Sequence, residues 1–160
     1  MFSLQLVRTW VDYNYVTHRR VWESVMLLSD EQFTMRIPYS VGSVRNHMVH
    51  LANVDAGWLC GLREDRNPFP HRANPSSYNS RYAVRALCER VAADMLEFVS
   101  GLEEEQLAYA PPCLQMPVWQ VLLHLMNHGT DHRAQLLRIL HDFQLPTFDQ
   151  DFLFYLEVPQ

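Results

Sequence analysis

Three cysteines in 160 residues give little to build with, because Cys60, Cys88 and Cys113 are odd in number, far apart and without C-x-x-C spacing. That pattern excludes a disulfide framework and a cysteine zinc site, and it suits a reducing cytoplasm. Clustered positive charge is also missing. The 13 Lys+Arg are scattered and outnumbered by 18 Asp+Glu, for a formal charge of −5 and a pI near 5.9. A broad nucleic-acid surface is therefore not expected. No long hydrophobic run is present either. Arg8 and Asp12 interrupt the opening segment, and no apolar stretch approaches the ~18 residues needed to span a bilayer. Neither export nor a membrane partner is expected.

What the chain does have is apolar content, 48% of it, at a length near that of one domain, which predicts a single domain over residues 1–160. Helical period dominates. Leu6, Trp10, Tyr13, Thr17, Val21, Val25 and Leu28 recur every three or four residues, the core stripe of a long first helix that Ser29-Asp30 should stop. Ser43 is placed to cap a second helix striped by Val44, Met48, Leu51, Trp58 and Leu62. Between Arg63 and Asn79, Pro68, Pro70 and Pro75 with several Asn and Ser read as a long crossover loop. Ser80 then caps a third helix striped by Val84, Leu87, Val91, Met95 and Phe98. Gly101 ends it, at a position expected to be left-handed. Pro117 opens a fourth helix. The tail from Phe143 onward, with Pro146, Pro159 and four aromatic residues, reads as an irregular segment laid over the bundle.

An internal echo supports two helical hairpins. Leu28-Ser29-Asp30-Glu31-Gln32-Phe33 follows the first long helix as Leu102-Glu103-Glu104-Glu105-Gln106-Leu107 follows the third, and Val49-His50-Leu51-Ala52-Asn53 resembles Leu123-His124-Leu125-Met126-Asn127. The fold class predicted is all-α, a four-helix bundle with one long crossover between helices two and three. Such bundles hold metals between facing helices.

The fourth helix carries His124, His128 and His132 four apart, on one face. At about 100° per residue, His132 lies roughly 30° from the apolar centre, His128 roughly 70° and His124 roughly 110°. His128 and His132 should thus point inward as a pair able to reach one ion, while His124 sits on the flank. Gly129, on the same stripe, costs about 1 kcal/mol of helix propensity, which close approach by a neighbouring helix backbone would justify. A third ligand must come from another helix. His47 and His50 are the candidates on helix two, and periodicity slightly favours His47 as the more inward. His18, His71 and His141 sit in polar or loop surroundings and look incidental.

Gly42-Ser43-Val44-Arg45-Asn46-His47-Met48-Val49-His50-Leu51 and the run Leu123 to Gln135, with its Leu-His-x-x-Asn-His-Gly-Thr-x-His-Arg-x-Gln pattern, resemble the two metal-site helices of the DinB (DinB/YfiT-like) family. The resemblance covers nearly the whole chain. It implies a four-helix bundle, commonly a homodimer, with a divalent metal held by one His of the second helix and two of the fourth. By motif position these are His50, His128 and His132. Ala134 stands where the family often has Gly, a departure expected to crowd that face slightly. The family's name implies no DNA contact.

Three neutral imidazoles leave a divalent ion with open positions, as in catalytic rather than structural zinc sites. The resemblance implies a class including thiol-cofactor S-transferases and a thiol-dependent isomerase. The expected function is a metal-dependent S-transferase or hydrolase acting on a small thiol or electrophile, with a low-molecular-weight thiol as co-substrate. Gln135 is expected as a contact behind a ligand or to substrate. Zinc, nickel, iron and manganese all suit imidazole ligands. No general base stands out: Asp55, Asp131 and His124 are near in sequence, and each reads as a solvated surface group. The alternative is a non-catalytic, stress-associated metal-binding dimer.

Overall fold

The computed structural model describes residues 3–64 and 72–157, of which 72% are helical, with no strand among them. Four long helices carry the fold: α1 (Leu4–Val25), α3 (Val44–Glu64), α4 (Arg81–Ser100) and α5 (Val118–Asp142). Two short ones, α2 (Asp30–Thr34) and α6 (Phe152–Glu157), complete it. The long helices pack as α1 on α5, α3 on α4 and α5, and α1 on α4, so α1 and α3 sit on one diagonal and α4 and α5 on the other. Among the described residues no helix is long and apolar enough to cross a membrane. His71, Pro68, Pro70 and Pro159 lie outside the described residues.

Local chemistry sets the helix ends. Ser43 Oγ accepts from Asn46 N at 3.0 Å, Ser80 Oγ from Ala83 N at 3.2 Å, and Ser3 Oγ from Leu6 N at 3.2 Å, each satisfying one of the orphan donors of a first turn. Pro117 is the residue just before α5. Ser29-Asp30 does not stop α1, which already ends at Val25; Ser29 instead opens α2 in a capping box with Gln32. The echo between the two halves is structural here, since Glu103 and Gln106 form a capping box on the 3-10 turn Glu104–Ala108 that follows α4. Gly101 ends α4 with φ −84°, an ordinary right-handed value, so a left-handed glycine is not what terminates that helix.

The core falls into two apolar clusters along the bundle. One gathers Val7, Val11, Leu59, Met95, Val121 and Leu125, among others, and the second Val21, Val25, Met48, Val84, Leu136 and Leu140. Between them in the chain lie the buried polar residues Asn14, Thr17, Asp55, His132 and Arg133. A polar seam thus crosses the bundle at mid-height, and the site is built on it. Most stripe positions are buried as expected. Leu6 is not, because it lies on the outer flank of α1 at 37% exposure.

The tail is irregular only as far as Asp151, and α6 follows. It is tied down by polar contacts: Ser24 Oγ donates to the Pro146 carbonyl at 2.6 Å, Arg133 Nε to Gln150 Oε1 at 3.0 Å, and Tyr155 to Asp12 at 2.7 Å. Phe152 meets Trp10 and Tyr13 edge-on, and Arg20 covers the Phe148 ring.

Candidate metal centre

His50 on α3 and His128 and His132 on α5 converge at the seam. One ligand atom from each can be chosen so that all lie within 4.8 Å of one another, and this is the cluster of its kind among the described residues. Their ring centroids are 4.4 to 5.1 Å apart. His50 Nε2 and His128 Nε2 are separated by 3.1 Å. Two nitrogens each about 2.0–2.1 Å from one ion would stand ~3.3 Å apart at a tetrahedral angle and ~2.9 Å at a right angle, so this spacing fits a shared divalent ion. The Nδ1 atoms of His128 and His132 are buried without a hydrogen-bond partner, so no protein group competes for these rings. The residues therefore fit the group that the motif implies.

Electrostatics prepares them as ligands. Burial, then the neighbouring His132 and His50, pushes the His128 imidazole down to about 4. Burial likewise lowers His50 and His132 from their ordinary value of 6.5. All three are neutral at pH 7, with lone pairs available. His50 is half-buried and lines a cleft of about 280 Å³ together with Asn46, Asn53, Val54 and Arg72.

His47, the residue favoured by periodicity, is fully buried at 0% exposure. Both its nitrogens are engaged, Nδ1 at 3.0 Å from the Ser43 carbonyl and Nε2 at 3.2 Å from Gln135 Oε1, so it backs the cluster rather than joining it. Gln135 lies beside His47 and His132. Its oxygen also accepts from Ser40, its Nε2 donates to Asp131 Oδ2 at 3.0 Å, and its amide favours the charged form of His132. His124 is exposed, against the edge of Trp58 and outside the triad. Asp131 and His141 are exposed as well. Ala134 points to solvent and crowds nothing.

Three expectations need correction. Asp55 is not solvated: it is 4% exposed and accepts from Tyr15 Oη at 2.8 Å, and burial pushes its carboxyl up to about 7. The Tyr15 phenol is in turn raised well above 10.0, by burial first and then by Asp55. His18 is not incidental, since its Nε2 is sealed without a partner and burial, then Arg133 and His128, lower it well below 6.5. Close approach at Gly129 comes from a side chain: an added Cβ would lie 2.5 Å from Asn14 Oδ1 and 3.0 Å from Arg133 Nη1.

Arg133, at 0% exposure, went unread in the sequence. It donates to Asn14, Thr130 and Gln150, joining α5, α1 and the tail directly beside His132. A signal existed for each missed residue. Asp55 is four residues from Leu51 and Leu59, Tyr15 four from Val11, and Arg133 three from Leu136, all in register with buried apolar positions.

No curated protein matches the sequence. A model of the DinB family matches residues 1–158, nearly the whole chain, and the all-helical fold with its inward histidines agrees with that match. The chain belongs to the DinB family.

Proposed function

We propose that this protein is a metal-dependent enzyme acting on a small thiol or electrophile, as an S-transferase or hydrolase, with His50, His128 and His132 as the metal ligands. The observation that carries the reading is the incompleteness of the cluster on its cleft side. Three imidazoles meet, no fourth His, Cys, Asp or Glu among the described residues joins them, and His50 borders an open cleft. Structural sites are closed by four protein ligands, whereas catalytic ones keep a position for substrate. When bound there, a divalent ion supplies Lewis acidity and lowers the pKa of a coordinated thiol or water.

The chain's own residues do the rest. His47 and Gln135 hold the inner wall, Gln135 being fixed through its oxygen by Ser40 and His47 and through its nitrogen by Asp131. Asn53 holds the crossover segment against α3, with Oδ1 accepting from Ala73 N at 2.7 Å and Nδ2 donating to Ala73 O at 2.9 Å, which keeps one wall of the cleft in place. Self-association as a homodimer belongs to the same proposal, supported by exposed apolar side chains on Leu6, Leu123, Leu153, Phe154 and Leu156.

The test is metal analysis of the purified protein, followed by a screen of thiols with electrophiles with and without chelator. About one ion per chain and a chelator-sensitive activity are expected. A protein that purifies and reconstitutes without metal would sink the reading.

A further inference from the structure

The seam between α1 and α4 is tied at both ends and loose in the middle. At one end Arg8 Nη2 donates to the Ser100 and Leu102 carbonyls, each at 2.9 Å; at the other, Arg81 Nη1 donates to the Met26 carbonyl at 2.9 Å and to that of Leu28. Between these ties α4 presents Cys88 and Ala92, and α3 beneath presents Ala52, side chains too short to fill the space. A slot of about 40 Å³ results, walled by Trp22, Met48 and Leu51, with the exposed Arg19 and Glu89 at its mouth. It lies away from the cleft of His50. At about 100° per residue, its α3 lining of Met48, Leu51, Ala52 and Asp55 centres roughly 165° from Asn46, His50, Asn53 and Val54.

Apolar along its walls, the slot is polar at its inner end, where Asp55, Tyr15 and His18 line it. Tyr15 Oη donates to Asp55 Oδ2 at 2.8 Å, and the Tyr15 ring meets the His18 ring edge-on with centroids 5.9 Å apart, so the three form one group. His18 Nε2 is sealed without a protein partner. A neutral imidazole has one N–H and one acceptor nitrogen, so in either role Nε2 calls for a partner that the chain does not supply. Tyr15 engages one Asp55 oxygen and leaves the other. Since one water needs about 10–15 Å³ of such volume, the slot has room for about three. Water is the ligand that suits both ends of the group, because it donates or accepts as each requires.

We propose that the slot is a proton path: it holds a short file of water molecules bonded to His18 Nε2 and to Asp55, through which the buried Asp55 exchanges its proton with solvent between Arg19 and Glu89. In that exchange Asp55 gives its proton to the nearest water, each water passes one proton to the next, and the last gives one to bulk water. A carboxylate is left behind, and the reverse passage restores the acid. The charged and titratable groups around it are Tyr15, His18 and Arg19 on α1, Cys88 and Glu89 on α4, and Arg133 on α5. Burial holds Asp55 near 7, so it changes state close to neutral pH. This path needs no metal and stands apart from the enzyme reading.

The experiment begins with the unmodified, zinc-loaded full chain. Water-selective NMR should give cross-peaks from long-lived water to the His18 ring and the Ala52 methyl, and crystals under xenon pressure should keep the gas out of the slot. Xenon in the slot overturns the proposal, because an apolar cavity stays dry and takes such a gas. Proton exchange is then followed by stopped-flow infrared spectroscopy of the Asp55 carboxylic C=O band, identified by its loss in Asp55→Asn, on a jump from pH 6 to pH 8. The band should vanish faster than the protein unfolds globally, and a rate equal to that of unfolding overturns the path without any variant. Ala92→Leu plugs the slot and should slow the loss of the band about tenfold, the effect of one hydrogen bond missing from the file. Ala92→Val, a smaller plug, should slow it less, with zinc stoichiometry and helicity unchanged in both. Equal rates in folded plugged and unplugged proteins would mean that Asp55 reaches solvent by another opening, and would overturn the assignment.

Discussion

Replacing Asp55 with asparagine should stabilise this protein, and by an amount that grows with pH. The carboxyl is buried between α1 and α3 and sits near 7 in the fold, against an ordinary value of 3.8. A folded value raised above the unfolded one means that the native state holds the proton longer. The stability this gives is fully present below about pH 4, and it is lost as pH rises towards the folded value, because the unfolded chain ionises first. The slope across that window is about 1.4 kcal/mol per pH unit, so by pH 8 the native state has lost about 4 kcal/mol relative to pH 3 on account of this one group. An amide at position 55 keeps an oxygen to accept from Tyr15 and removes the titration. Its advantage over the wild type should therefore be small near pH 4 and reach a few kcal/mol at pH 8. Urea unfolding followed by circular dichroism, at pH 4.5, 6 and 8 on both proteins, measures it; the difference between the two curves cancels every other titrating group they share. A variant less stable than wild type at pH 8, or a difference that does not change with pH, would show that the carboxylate is ionised in the fold and well served by Arg133.

Substituting His50, His128 or His132 with alanine should each lower metal stoichiometry below a tenth, whereas His124→Ala should leave it near one, as read by elemental analysis after dialysis. Because burial and neighbouring imidazoles lower all three ligands, with His128 near 4, protons compete for them later than for free histidine. Metal should accordingly be retained down to about pH 5 and released below it, and release centred above pH 6.5 would contradict the lowered values. Chelation should remove activity yet leave most of the helical signal, since two apolar clusters hold the bundle; a large loss of helicity would favour an ion that only ties α3 to α5. Gly129→Ala gains about 1 kcal/mol of helix propensity and loses more to overpacking against Asn14, about 1–3 kcal/mol, so the melting temperature should fall, and a rise would mean that Asn14 can move aside.

Much of this was legible in the sequence, for reasons that also explain what was not. The stripes of α1, α3, α4 and α5 gave the bundle because apolar burial has the period of the helix, and His128 and His132 lie inside the stripe of α5. Choosing between His47 and His50 was another matter. Periodicity measures burial, and it identified the more buried residue correctly, since His47 is fully enclosed. His50, which the motif pointed to and which joins the histidine cluster, is half-exposed on the wall of a cleft, and burial periodicity carries no signal for such a position. The polar seam stayed hidden because Asp55 and Arg133 carry charges that normally mark a solvated face. Only their register with Leu51, Leu59 and Leu136 hinted that they turn inward, and their partners on α1, Tyr15 and Asn14, are dozens of residues away. The Asn53 clamp on Ala73 is likewise a contact across a loop, with no local signature.

The fit of Asn14 and Arg133 around Gly129 has a consequence for how this lineage can drift. A methyl group at 129 collides with Asn14 Oδ1, which is itself held by the arginine four residues further along α5. A side chain at 129 makes a clash, a change at 14 takes one acceptor from the buried guanidinium, and a change at 133 takes the donor from Asn14 Oδ1, so single steps pass through a weakened protein more often than paired or triple steps do. Positions 14, 129 and 133 should therefore vary among relatives as one unit, with the glycine surrendered only in lineages that have first shortened residue 14. An ancestor's choice of arginine beside His132 would then be locked in by its neighbours, long after whatever first favoured it.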